Sequence, residues 1–315
     1  MIKYFYFFTI LAITTLSIKC SALNRKHKDS TIIIFHNGLK RTSIIYKPAK
    51  LISGKTYPLL IALHGGHGTG KSMMKLTEEK FNKLADKENF IVLYPNGIGK
   101  NWNDGRQNMP KSYKAHNQNI DDVGFISVLI DAVVKKYCAD PKRVYITGMS
   151  NGSMMTERLA IELSYKIAAA APVCGNIPID LKTEPKFPVA ILIINGTKDP
   201  LVPYNGGYVH FFRKKLGQIT STNQTIDFWL KHNENTNTAV VSELPNTYMA
   251  DNCLVRKTTY GKPSEKGEVI LITIEGGGHT WPGGWQYLNK FFIGKTCRDI
   301  DACEIIWEFC KAHSR

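Results

Sequence analysis

The sequence predicts an α/β protein, a single domain on a mostly parallel central sheet with helices on both faces and an antiparallel N-terminal edge. Three observations predict it. Short apolar runs of strand length alternate along the chain with longer runs of helical spacing. Two early β-rich runs are joined by Asn37-Gly38, a hairpin signal. No repeat, low-complexity tract or Pro/Ser-rich linker interrupts residues 23–315.

The elements follow in order. Residues 31–35 and 41–46 form the hairpin strands. The apolar run 57–63 reads as a buried strand ending at His64-Gly65-Gly66. Met74, Leu76, Phe81 and Leu84 give residues 71–86 helical spacing, and the strand 90–94 stops at Pro95-Asn96-Gly97. Phe125, Val128, Leu129, Ala132 and Val133 share one face of a helix over 122–137, with Asp122 as its N-cap. Strands are expected at 143–147, 167–173, 189–194 and 269–274, and helices at 151–164, 221–232 and 300–313.

Residues 1–22 stand apart. Lys3 precedes an apolar run from Tyr4 to Ile18, and Cys20 and Ala22 supply small residues for cleavage before Leu23. That is the pattern of a signal peptide, and the run is too short for stable membrane insertion. Lys19 directly before Cys20 is a poor fit to lipoprotein processing. The remaining chain is expected to be exported, extracellular or periplasmic.

Cleavage leaves Cys138, Cys174, Cys253, Cys297, Cys303 and Cys310, an even set that in an exported protein implies disulfides. Cys303 and Cys310 are too far apart on one helix to pair with each other. Cys174, ending an apolar run, also fits a buried free thiol. The net charge of +15 is spread over scattered lysines, with no dense basic run interleaved with aromatics. This describes a solvated basic surface and argues against a nucleic-acid partner.

The chemistry centres on Gly148-Met149-Ser150-Asn151-Gly152, set between a predicted strand and a predicted helix. A nucleophile elbow needs that context: the sharp turn exposes a serine, and flanking glycines let chain and substrate approach. A serine hydroxyl needs a base. Among His210, His232, His279 and His313, His279 follows a predicted strand inside a glycine-rich loop. His232 and His313 read as surface residues. Asp199 leaves the end of the strand between nucleophile and base, which Asp180, Asp227 and Asp251 do not. An oxyanion would be held by the backbone N–H groups of Asn151 and Gly66. His64 and His67 lack a third ligand at metal spacing, and helix capping accounts for Asp122 in the pair Asp121-Asp122. Trp102, Tyr204, Trp281 and Trp285 lie in loops expected to gather at the catalytic end of the sheet as an apolar substrate floor.

With Leu63-His64-Gly65-Gly66, Tyr94-Pro95-Asn96-Gly97, Asp121-Asp122-Val123-Gly124-Phe125, the stretch from Arg143 to Gly152, Asn195 to Tyr204, and Gly277 to Gly284, the chain resembles the exported poly(3-hydroxybutyrate) depolymerase and feruloyl esterase family of α/β hydrolases. The resemblance spans about residues 30–312. It implies the α/β-hydrolase fold, the triad Ser150, Asp199 and His279, no metal or organic cofactor, and a polymeric or oligomeric ester substrate. Cys297, Cys303 and Cys310 depart from the family's pattern. Three functions follow as expectations. The first is a secreted serine esterase acting on polyesters. The second is a feruloyl or acetyl esterase of plant cell-wall polysaccharide. The third is a catalytically silent polymer-binding protein. Oligomeric state is left open.

Overall fold

The computed structural model describes residues 30–48, 51–52, 54–211, 214–262 and 267–315. The expected signal peptide, 1–22, lies outside the described residues. The first half contains β1 (Ser30–His36), β2 (Leu39–Tyr46), β3 (Tyr57–Leu63), α1 (Gly70–Leu76), α2 (Lys80–Glu88), β4 (Ile91–Pro95), α3 (Lys114–Asn117), α4 (Asp122–Tyr137), β5 (Ala139–Met149) and α5 (Asn151–Glu162). The second contains β6 (Ala169–Val173), β7 (Ala190–Gly196), β8 (Gly207–Phe211), β9 (Lys214–Ile219), α6 (Thr222–His232), β10 (Val240–Glu243), β11 (Leu254–Tyr260), β12 (Val269–Glu275), α7 (Lys290–Ile293) and α8 (Ala302–Lys311). Among the described residues no helix is long and apolar enough to cross a membrane.

A ten-stranded sheet runs in the order β1-β2-β4-β3-β5-β6-β7-β12-β11-β10. The stretch from β4 to β12 is parallel. The N-terminal edge is antiparallel, as its hairpin predicts, and Asn37 and Gly38 turn it with φ of 47° and 74°. The other edge is antiparallel too, through β11 and β10. The sequence did not announce these two strands, because β10 is exposed throughout and β11 is mostly half-buried with Val255 alone buried, so neither carries a buried run.

Strand alternation builds a core on each face. Leu60, Val92, Tyr145 and Leu192 point to the side covered by α1, α2 and α8, where Phe90 stacks on Trp307. Leu59, Ile61, Leu93, Ile146 and Ile193 point to the side covered by α4, α5 and α6. The fold is thus the two-faced α/β-hydrolase architecture expected.

Local details correct four expectations. The helix expected over 71–86 is two helices, because Glu78 and Glu79 take left-handed φ of 52° and 55° and break the ladder between α1 and α2. The N-cap of α4 is Asp121, whose side chain accepts from Gly124 N at 2.8 Å. Asp122 is instead buried, paired with Arg41 and accepting from Asn103 N. His313 is buried beside Glu268, with Nδ1 on Phe309 O. Finally, Cys174, Cys303 and Cys310 are buried free thiols rather than bridge partners, and Cys253 and Cys297, also buried, are reduced in this structure.

One buried acid carries a prediction. Glu157 of α5 accepts from Trp229 Nε1 at 2.8 Å, and among the described residues its other oxygen has no hydrogen-bond partner. Burial pushes its pKa up to about 8. The folded chain therefore keeps a proton that the unfolded chain loses in the ordinary carboxylate range, and stability falls as pH rises through that window. The slope reaches up to about 1.4 kcal/mol per pH unit, and the contribution is gone above about pH 8. Glu157→Gln removes this dependence. The melting temperature of the variant minus that of the wild type is expected to become more positive from about pH 5 to about pH 9. A flat difference would place the charged form in the native core.

Candidate active site

Ser150 terminates β5 and caps α5 with φ 58° and ψ −120°, a strained conformation for a residue with a Cβ. The chain holds it there. Ser150 N donates to Val173 O at 3.0 Å, and Met154 N donates to Ser150 O. The flanking glycines are required by close approach: a Cβ on Gly148 would sit 2.5 Å from Gly152 O, and one on Gly152 2.5 Å from His64 O. The elbow is thus pressed against the end of β3.

His279 lies in the loop after β12. Its Nδ1 is 2.6 Å from Asp199 Oδ2, and both side chains are buried. The other oxygen of Asp199 accepts the N–H groups of Leu201 and Val202, each at 2.8 Å, which fixes the carboxylate in its turn after β7. The histidine loop rests on the segment around α7, where Gly278 N donates to Lys295 O and His279 N to Ile293 O. A Cβ on Gly278 would lie 2.3 Å from Ile293 O, so this seat needs glycine. Among the described residues no hydrogen bond joins Ser150 to His279, but both line one cavity of about 590 Å³.

Gly65, Gly66 and Asn151 line the same cavity. Among the described residues neither Gly66 nor Asn151 spends its backbone N–H on a protein acceptor. The side chain of Asn151 is clamped from behind. Its Oδ1 accepts from Trp102 N at 2.8 Å, and its Nδ2 donates to Trp102 O and to Asp104 Oδ2 at 3.0 and 2.6 Å. Asp104 is wholly buried and also accepts from Arg106 and from His116 Nε2. Burial alone would raise its pKa, but Arg106 and His116 hold it well below the usual carboxylate range. Nothing in the sequence singled out this cluster, because Asp104-Gly105-Arg106 looks like an ordinary polar turn.

The four aromatic residues expected to floor the site do not act together. Trp285 lines the cavity, half exposed, with Lys75 Nζ 4.0 Å from its ring centre. Trp102 is fully buried behind the His64-Gly65-Gly66 loop, its Nε1 donating to His64 O. Trp281 is fully buried edge-on to Phe81 and belongs to the core. Tyr204 bonds Thr273 Oγ1 at 3.1 Å and does not line the cavity. The walls come instead from Leu76, Tyr113, Met149, Leu201, Val202, Val209, Phe211 and Leu216. Three of these sit on the separate β8–β9 hairpin. Its strands carry lysines and one-sided burial, a weak signal in sequence.

His64 is occupied at both nitrogens, Nδ1 donating to Gly65 O and Nε2 accepting from Gly97 N. Burial lowers its pKa to about 4, so the ring is neutral. His67 faces Tyr113 instead, so the two histidines do not converge on a metal. Cys174, at φ 54° after β6, places Sγ 3.2 Å from Thr280 O, and burial together with the neighbouring Asp199 raises its pKa strongly. Its thiol lies beside the Asp199–His279 pair.

The chain is similar to known esterases. The family model described as Esterase PHB depolymerase matches residues 43–178. NocK of Nocardia uniformis subsp. tsuyamanensis, provisionally named an esterase, is 27% identical over 80% of this chain and 73% of its own. Feruloyl esterase B of Piromyces equi is 29% identical over 80% of this chain and 46% of its own. The solved acetyl xylan esterase from Aspergillus awamori superposes with a TM-score of 0.54 at 17% identity, covering 80% of this chain and 94% of the other. At that identity the superposition speaks for the fold alone.

Proposed function

We propose that this chain, whose residues 43–178 match the Esterase PHB depolymerase family model, is a carboxylic ester hydrolase that works through Ser150, His279 and Asp199. The observation that carries the assignment is the 2.6 Å contact between His279 Nδ1 and Asp199 Oδ2, at the edge of a cavity that Ser150 also lines. With Nδ1 committed to the carboxylate, Nε2 is the nitrogen left to take a proton.

His279 Nε2 accepts the Ser150 proton as Oγ attacks the ester carbonyl. Asp199 stabilises the imidazolium that forms, and the backbone N–H groups of Gly66 and Asn151 receive the oxyanion. His279 returns its proton to the departing alcohol, then activates water to release the acyl group from Ser150. No step calls for a metal or organic cofactor.

The acyl side is apolar. Arg106 reaches the cavity wall, but its guanidinium is spent on Asp104 and Leu216 O. Uncharged esters with apolar acyl groups fit best, and we assign 3-hydroxybutyrate oligoesters as the leading class. Feruloyl and acetyl esters of cell-wall polysaccharide are the second reading, favoured by the relative named feruloyl esterase B and by Tyr113, Phe211 and Trp285 around the cavity. The signal-peptide pattern of residues 1–22 supports export, with residues 23–315 as one catalytic domain.

The test is covalent. A fluorophosphonate probe on the purified chain is expected to label one serine, which peptide mapping identifies as Ser150. A competing panel of 3-hydroxybutyrate oligomers, feruloyl esters and acetylated xylan ranks the substrates by protection and turnover. Failure to label would return the chain to a binding role. Faster cleavage of peptides than of matched esters would reject the esterase assignment.

A further inference from the structure

The Sγ atoms of Cys253 and Cys297 and a carboxylate oxygen of Asp251 lie within 4.8 Å of one another. Both cysteines are buried, and their thiols hydrogen-bond each other. They come from distant parts of the chain. Cys253 directly precedes β11, and Cys297 lies between α7 and α8. We propose that Cys253 and Cys297 form a disulfide in the mature protein, a covalent brace across the base of the histidine loop.

The backbone already holds the two segments together. Asp251 accepts from Cys253 N at 2.8 Å with one oxygen and from Arg298 N at 2.7 Å with the other. Cys297 O accepts from Gly283 N, so the strip that carries Cys297 also carries the far end of the histidine loop. A bridge encloses residues 254–296, which contain β11, β12, His279 and the α7 strip on which His279 rests. Zinc is the competing occupant. A structural zinc site closes with four ligands, whereas this cluster has three among the described residues, and both oxygens of its carboxylate already accept backbone N–H groups.

The oxidant is a small-molecule or protein disulfide. Either cysteine can attack first while the chain is still folding, and the balance is the same with Cys297 as the attacker. Its thiolate forms a mixed disulfide and expels one thiol from the oxidant. The Cys253 thiolate then displaces the second, so two protein thiols become one disulfide and the oxidant becomes two thiols. Burial requires this exchange to occur during folding and thereafter shields the bond from reductant.

The test is refolding of the reduced, denatured full chain in a glutathione redox buffer, alkylation under denaturing non-reducing conditions, and peptide mapping. This reads the pair directly and does not depend on esterase activity or on export. A cross-linked peptide joining Cys253 to Cys297 is expected, with Cys174, Cys303 and Cys310 alkylated. Cys253→Ser and Cys297→Ser are each expected to lower the melting temperature of the oxidised chain by about 5–10 °C, and reduction of the wild type in denaturant before refolding by a similar amount. Alkylation of both thiols, pairing of either with another cysteine, or zinc retained in native mass spectra would each overturn the assignment.

Discussion

Ser150→Ala is expected to lower kcat for every ester by about 10⁴-fold or more while leaving the melting temperature close to that of the wild type. The activity loss follows from removing the oxygen proposed to attack the ester carbonyl. Stability is preserved because the strain at φ 58° is imposed by the backbone contacts of Gly148, Gly152 and Val173, and alanine inherits it unchanged. Turnover assays paired with scanning calorimetry check both halves. Activity within about tenfold of the wild type would reassign the nucleophile. A large fall in melting temperature would mean that the hydroxyl supports the turn.

Asp104→Ala is expected to cost about 3–5 kcal/mol of stability, because it strips the counter-charge from the buried Arg106 and a hydrogen-bond partner from His116. It also releases the Asn151 side chain, so kcat falls by roughly 10²-fold, the scale of one oxyanion donor, with little change in KM. Asn151→Ala separates the effects. It leaves the ion cluster intact and loses only the clamp, so it is expected to show the kcat defect with a smaller stability loss. Urea unfolding and steady-state kinetics on both variants distinguish a positioning role from a purely structural one. Equal stability of Asp104→Ala and wild type would remove the cluster from the fold's supports.

The parts legible in the sequence were those whose physics is local. The elbow at Ser150 needs small neighbours on either side, and those neighbours are glycines in the chain itself. Asp199 and His279 sit where strands end, and the strands β7 and β12 are runs that only a buried position tolerates. What was not legible depends on which way a side chain faces after folding. Trp102 and Trp281 lie in the right loops but turn inward, one against the back of the His64-Gly65-Gly66 segment and one into the α2–α8 layer. Sequence gives loop membership and not direction. The Asp104 cluster was hidden because His116 and Asn151 reach it from different elements. The break between α1 and α2 was hidden because glutamates rarely adopt left-handed backbone, and apolar spacing continues across the gap.

The separate hairpin β8–β9 has a consequence for how such a protein diversifies. Val209, Phe211 and Leu216 shape the acyl wall from a two-stranded sheet that shares no hydrogen-bonded edge with the ten-stranded one. It is moored by the bridge from Pro178 to Ile219 and by Arg106 on Leu216 O. The elbow and the loops after β7 and β12 stand on the main sheet, and Met154 and Val202 beside them pack against Val209, Leu216 and Ile219 of the hairpin. Under the proposed assignment, hairpin residues that line the cavity can change which acyl group fits, within the limit that Met154 and Val202 keep their packing against Val209 and Leu216.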